Sequence, residues 1–309
     1  MSFTIPDAFV QQFTGTVRFL AQQESSRLRG CVIIDDITGE SAFLEQLAPT
    51  PARKVTSRHA DSPMMNTQHL RRRIAPYDYD WGDLIDRLDK VRLLIEPESA
   101  YTRAATYALG RGYDDEIIAA FFGTAFAGHS GSTSLTWPNG NSETTPAQPA
   151  GTQVAVNDWT YGNGSGNSGL TISKLVSAQV ALLAAEGDEN EQRYVALKAK
   201  QIGNLLATTE ATLKEFGVAK DDLAPLRDGM VAKILSFEVR HSERLLANSS
   251  AQTRVPAWRR SAMGLGVAQD IKGNAAPRPD KRFAPYVYLD MSIGAARIEE
   301  AKLVEIICV

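Results

Sequence analysis

Apolar residues recur at every fourth position from Tyr101 through Ala105, Leu109, Tyr113, Ile117 and Phe121, and Ala108, Ile118 and Phe122 widen the stripe. That spacing keeps one helix face apolar, so it predicts an α-helix over residues 97–122. Pro97 suits the first helical position, and Glu98 complements the positive end of the helix dipole. At 1.5 Å per residue the helix would run to roughly 39 Å, long enough to act as a beam. Gly110 and Gly112 interrupt it. Each costs about 1 kcal/mol relative to alanine, and together they mark a bend and a candidate hinge.

Other segments carry shorter periods. Phe9, Phe13, Val17 and Leu20 fit a small amphipathic helix that must dock on something. Residues 171–186 predict a second amphipathic helix, started by Thr171 or Ser173 and ended near Gly187, and residues 199–208 a short third one. Strands are expected at residues 32–34, 41–44, 71–81, 193–197, 230–239, 262–271, 286–293 and 302–309. Residues 128–169 are rich in Gly, Ser, Thr, Asn and Pro and read as loop, with one strand-like run at 153–159. There is no internal repeat.

Between the strands near residues 41–44 and 71–81 lies a long polar stretch, residues 53–70, with few large apolar side chains. Ordering a residue costs about 1–2 kcal/mol, which this stretch cannot offset by packing on itself. Long loops of this kind are usually functional or disordered, and an arm lying on a neighbouring copy fits the pattern. Arg71, Arg72 and Arg73 form the one dense basic cluster, while Asp114, Asp115 and Glu116 sit on the long helix. Guanidinium forks match carboxylates bidentately, so these six residues are the candidate inter-subunit contacts.

Composition narrows the chemistry. The chain has 309 residues, 43% hydrophobic and 22% charged, with a formal net charge of −3. That is ordinary globular material, and a net negative charge argues against gripping nucleic-acid phosphates as the main task. No apolar run approaches the length of about 18 residues that would span a membrane, and the N-terminal residues do not read as a secretory signal. Cys31 and Cys308 stand at opposite ends of the chain and read as small buried hydrophobes of a reducing compartment. The histidines His59, His69, His129 and His241 show no metal-ligand spacing, and no nucleophile motif is present. The acidic pairs at 35–36, 114–115 and 221–222 read as solvated charge. Gly164, Gly166 and Gly169 spell a G-x-G-x-x-G that precedes a helix, as a dinucleotide loop would. The surrounding Gly/Asn/Ser composition, the absence of a continuous apolar strand before it and the lack of alternating strand–helix units favour a plain loop. No catalytic residue, cofactor or metal is expected.

The order of these elements, and three stretches of sequence, carry a resemblance. Residues 89–101 (DKVRLLIEPESAY) resemble the start of the long spine helix in tailed-bacteriophage major capsid proteins of the Hong Kong 97 type. Residues 110–118 (GRGYDDEII) resemble its second half, and residues 294–306 (GAARIEEAKLVEI) are similar to the closing strands of the same group. The resemblance extends from about Cys31 to Val309 and implies an α+β fold. Residues 1–30 would be an N-terminal arm and 31–80 an extended β loop. Residues 81–187 would hold the spine helix, the Gly-rich insertion and the second helix, as part of a peripheral domain. Residues 188–285 would be an α/β axial domain, and 286–309 the closing strands.

The implied function is structural: a shell protein of the virion, assembled in the host bacterial cytoplasm. Its first partner would be itself, in hexamers and pentamers, around packaged double-stranded DNA held without sequence-specific binding. A scaffolding protein, a portal and a decoration protein are further partners that the resemblance suggests, and no membrane is. The alternatives are a nucleotide-dependent soluble enzyme using the loop at 164–169, or another virion protein such as a decoration or tail-tube subunit.

Overall fold

A computed structural model describes residues 22–58, 61, 62, 64–84, 97–138, 152–162, 164–206 and 233–309. The long helix α1 spans Pro97–Phe122, the range its periodicity predicts. Ala105, Leu109, Tyr113, Ile117 and Phe121 are all buried, so the four-residue stripe is the packed face. Helix α2 spans Ile172–Ala184 and opens at Thr171, whose hydroxyl accepts the Lys174 N–H at 3.4 Å. This N-cap satisfies one of the helix's orphan donors. Helix α3 spans Ala199–Leu206. Its expected last residues, the expected helix near residues 9–20 and the first residues of the strand expected at 230–239 lie outside the described residues.

In chain order the strands are β1 (Ile33–Asp36), β2 (Ala42–Leu47), β3 (His69–Ile74), β4 (Tyr77–Leu84), β5 (Ala125–Ala127), β6 (Thr133–Leu135) and β7 (Gln153–Val154). Then come β8 (Arg193–Leu197), β9 (Lys233–Ile234), β10 (Phe237–His241), β11 (Thr253–Arg259), β12 (Met263–Arg278), β13 (Ala284–Arg297) and β14 (Leu303–Cys308). They form three sheets, ordered β1-β12-β13-β4, β7-β14-β11-β8-β10-β9 and β2-β3-β5-β6.

Two compact units divide the chain. The larger comprises residues 27–77, 113–268 and 293–309. Its centre is the six-stranded sheet, where all five residues of β8 are buried, as expected of a strand covered on both faces. Helix α2 packs on β14 and β11 through Leu175, Ala178 and Leu182. Trp258 of β11 lies between Phe121 (ring centroids 4.7 Å apart) and Tyr194 (5.7 Å), and its indole N–H donates to the Cys31 carbonyl at 3.0 Å. Both thiols are free and buried.

The smaller unit comprises residues 1–26, 78–112 and 269–292. Here β13, between β12 and β4, buries Val287, Leu289 and Met291, and a Cβ on Gly112 of α1 would meet the Met291 methyl at 2.8 Å. The units are therefore discontinuous in sequence. Residues 269–292, which the sequence divides between an axial domain and closing strands, share a unit with the first half of α1, because β13 pairs with β4 and β12. Residues 303–308, read as closing strands, run inside the six-stranded sheet between β7 and β11.

Candidate inter-subunit surfaces

Strands β2 and β3 pair antiparallel from Ala42↔Ile74 to Leu47↔His69, and β3 continues onto β5. The base of this ribbon is fixed in its own subunit: Ile37, Ile74 and Ala296 form a buried cluster, with Ala42 and Leu44 packed against it. A bond from Ala48 N–H to the Gln68 carbonyl (3.0 Å) closes the paired part. Beyond it, every described residue from 49 to 66 is exposed. Val55 is 83% and Met64 96% exposed, and Leu47 at the neck is 66% exposed. Large apolar side chains are thus held out in water at the neck of the ribbon and beyond it.

The basic cluster is split by the two-residue period of β3. Arg71 points to one face and reaches exposed Glu45 at 2.7 Å. Arg73 shares that face and lies over the Phe126 ring, 5.1 Å from its centroid. Arg72 points the other way and is buried. Its Nη2 meets Glu300 Oε2 at 2.8 Å, and its Nε donates to the Ile298 carbonyl at 3.2 Å. The helix carboxylates divide similarly. Asp114 is buried and accepts the backbone N–H groups of Arg27 and Leu28, all at 3.1 Å, which pins the chain leading out of the N-terminal segment. Asp115 pairs with Arg244, and Glu116 is half-buried. The structure does not bring the arginines and these carboxylates together within one chain, and Arg72 and Asp114 are both engaged inside the subunit.

Gly110 and Gly112 stand within an unbroken helix, where the boundary between the two units falls. A Cβ on Gly110 would come within 3.3 Å of Ser25 Cα, and one on Gly112 within 2.8 Å of the Met291 methyl. Both glycines thus allow close approach to the helix, quite apart from any bending.

The buried polar residues were not foreseen from sequence. Arg297 donates to the carbonyls of Ala120 (3.2 Å), Phe121 (3.1 Å), Gly123 and Leu135 (3.0 Å). A guanidinium thus caps the C-terminal end of α1, where the helix dipole is negative. Burial lowers its pKa to about 10, and Glu300, 3.9 Å away, opposes that fall. Glu300 is therefore the shared carboxylate of Arg72 and Arg297. Nearby, Glu305 accepts from Trp137 (2.7 Å), Gln153 (2.9 Å) and Arg254. A signal existed in the i,i+3 spacing of Arg297 and Glu300, but nothing in it pointed to Arg72.

The glycine-rich loop is used internally. The Trp159 indole donates to the Gly166 carbonyl at 2.9 Å, and a Cβ on Gly164 would collide with that ring. Lys174, fully buried, donates to the carbonyls of Ser168 (2.8 Å), Gly169 (3.0 Å) and Ile307 (2.9 Å). The strand before the loop is only β7, followed by turns, so the nucleotide reading has no support. Among the described residues no group of three or more His, Cys, Asp or Glu is placed to hold a metal ion. No helix there is long and apolar enough to cross a membrane.

A family model described as phage capsid protein matches residues 5–309. No curated protein matches the sequence. Among solved structures, the capsid of the Cyanophage P-SCSP1u is similar at 16% identity with a TM-score of 0.68, over 100% of this chain and 95% of that one. The acidic stable capsid of Helicobacter pylori bacteriophage KHP30 matches at 10% identity and TM-score 0.69, covering 100% and 98%. The capsid of Ralstonia phage GP4 matches at 9% and 0.68, covering 100% and 97%. At such identities the likeness is one of fold.

Proposed function

Since the chain belongs to the phage capsid protein family, we infer that it is the major capsid protein of a tailed phage, with a structural role in the virion shell. The fold is the α+β Hong Kong 97 type. The observation that carries the function is the family match over residues 5–309. The free surface of the ribbon between β2 and β3 supports it. That ribbon is anchored in its own core and exposes its tip, as a part made to lie on another copy would.

On this reading the chain assembles with itself into rings of six and five around double-stranded DNA, in the host cytoplasm. A separate scaffolding protein, a portal and a decoration protein are the further partners. The arm would be residues 1–30 and the extended loop 31–80. The peripheral domain would gather the first half of α1 with β4 and the hairpin of β12 and β13. The axial domain would be built on the six-stranded sheet. Arg71, Arg73 and Asp115 are the members of the two charge clusters best placed for neighbours, because their present partners are exposed or half-exposed, and Glu116, next to Asp115 in sequence, is itself half-buried. Arg72 and Asp114 would act by holding the loop base and the arm exit. Gly110 and Gly112 would let α1 adjust between shell positions.

Negative-stain microscopy and sedimentation of the overexpressed chain test the reading, with and without a co-expressed scaffolding protein. Closed shells or ring capsomers are expected. Tubes would point instead to a tail component, and a small defined oligomer would refute a shell protein.

A further inference from the structure

Residues 27–31 lead into β1 as a short strap, and two ties hold its first residue. Asp114 of α1 accepts the backbone N–H groups of Arg27 and Leu28 at 3.1 Å. The second tie is made by a side chain. Arg27 Nη1 lies 2.7 Å from His241 Nδ1 on β10, and it donates to the His241 carbonyl at 2.8 Å. A guanidinium offers only donors. Nδ1 must therefore present its lone pair, which makes the imidazole neutral with its proton on Nε2. That proton has an acceptor, because Glu243 Oε1 lies 2.9 Å from Nε2. Glu243 also accepts the Ala199 N–H at the start of α3, at 2.6 Å. This backbone bond first, and His241 after it, hold the Glu243 carboxyl below its ordinary pKa, so Glu243 stays an anion while a histidine titrates.

We propose that His241 is an acid-sensitive latch for residues 27–31, holding the Arg27 side chain on β10 when neutral and releasing it when protonated. Protonation puts a hydrogen on Nδ1, where Arg27 already points one. Two cationic donors then face each other, and the bond to the carbonyl cannot compensate because it uses the same Nη1. Glu243 pulls the other way, since a carboxylate favours an imidazolium over an imidazole. The protonated ring thus keeps Glu243 and loses Arg27. Histidine changes charge between about pH 5 and 8, so the latch is closed at the upper end of that range and opens as the pH falls through it. The side chain is 41% exposed, so protons reach it freely. The other charges packed around it are Lys198, whose field acts on Glu243, Arg244 with Asp115 of α1, and Arg240 with Glu238 on β10 itself. Arginine and lysine keep their charge throughout, and the carboxylates are separated from His241 by the variant below. The latch closes within one chain, so it does not depend on the shell reading.

The test uses dissociated subunits of the full-length chain at pH 8 and pH 5. In ¹⁵N-histidine spectra the His241 signals, identified by their loss in H241N, should show the Nε2–H tautomer at pH 8 and the imidazolium at pH 5. Hydrogen exchange, corrected for its intrinsic pH dependence, should show protection over residues 27–31 falling by about fivefold between the two, as befits one partly exposed charge-assisted bond. H241N cannot titrate in this range, so its protection should no longer depend on pH. R27M lacks the tie and should show the low protection at both. All the altered side chains are exposed or half-buried, so the variants should fold, which circular dichroism checks. Equal wild-type protection at the two pH values would overturn the latch. An equal acid loss in H241N would do the same, by assigning the effect to a carboxylate such as Asp114, and so would an Nδ1–H tautomer at pH 8.

Discussion

Removing Glu300 should destabilise the subunit more than removing Arg72. The Arg72–Glu300 pair is 2.8 Å long, with side chains 5% and 7% exposed, and breaking such a buried pair from one side costs about 3–5 kcal/mol. Arg72→Ala leaves Glu300 with Arg297 at 3.9 Å, so the loss should sit near the lower end, about 3 kcal/mol. Glu300→Ala leaves two guanidiniums buried without their carboxylate, and the loss should reach about 5 kcal/mol. For 309 residues, at about 2.1 cal/mol/K of unfolding entropy per residue, these losses correspond to falls in Tm of roughly 5 and 8 °C. Thermal and urea unfolding of dissociated subunits would measure them, with Arg71→Ala as the control expected to change Tm by about 1–2 °C at most, because its pair is exposed. A double replacement, Arg72→Met with Glu300→Met, should recover part of the loss, giving a coupling of at least about 1 kcal/mol in the double-mutant cycle. If Arg72→Ala left Tm unchanged and only assembly suffered, Arg72 would be an inter-subunit residue and the internal tie would be refuted.

Two further outcomes follow from the same packing. Burial raises the Cys308 thiol pKa to about 11, and burial, against the opposing field of Arg240, also raises that of Cys31. Native subunits at pH 8 should leave both thiols nearly inert to Ellman's reagent and release two per chain on denaturation. Because the folded pKa lies above the unfolded one, the associated stability should persist below pH 9 and fall as pH rises toward 11; rapid native reaction at pH 8 would refute the burial. Gly112→Ala should fold and hold Tm, since a flexible methyl can yield, whereas Gly110→Ala must push on the Ser25 backbone. If the pair also serves as a hinge, the double variant should slow shell expansion in a light-scattering assay, and unchanged expansion would remove the hinge.

Helix α1 was legible to both ends because its stripe, its proline start and its phenylalanine finish agree. The turns were legible only where glycine marked them. The run at 230–239 reads as one strand, yet the chain turns between β9 and β10 on Leu235 and Ser236, both in the left-handed region (φ 47° and 67°). Bulky residues seldom adopt that conformation, and here the antiparallel pair Phe237↔Ile234 selects it. The run at 153–159 fails as a strand beyond Val154, because Asp158 turns back to accept the Thr160 N–H and Trp159 folds onto the glycine loop. The long reach of β12 to Arg278 was hidden for another reason. Its outer half is exposed and supported only by pairing with a strand whose partnership no local pattern reveals.

The candidate contacts show the same division between what is local and what is not. Arginines in a row on a strand must alternate, so three adjacent ones were bound to face two different environments. Alternation alone predicts that Arg71 and Arg73 part company with Arg72. It does not say which face is buried, because that depends on Glu300, over 200 positions away in sequence. Asp114 was equally opaque, since it accepts the backbone N–H groups of Arg27 and Leu28, which carry no sequence signal at all. Charge clusters read from sequence therefore identify where ionic chemistry occurs, and the fold then decides which members are buried inside the subunit and which stay at its surface. In this chain the inward members are Arg72, which ties β3 to Glu300 and the Ile298 carbonyl, and Asp114, which holds the backbone of Arg27 and Leu28. A change at the buried Arg72–Glu300 tie should therefore disturb assembly as well as stability, even though the pair lies inside the subunit.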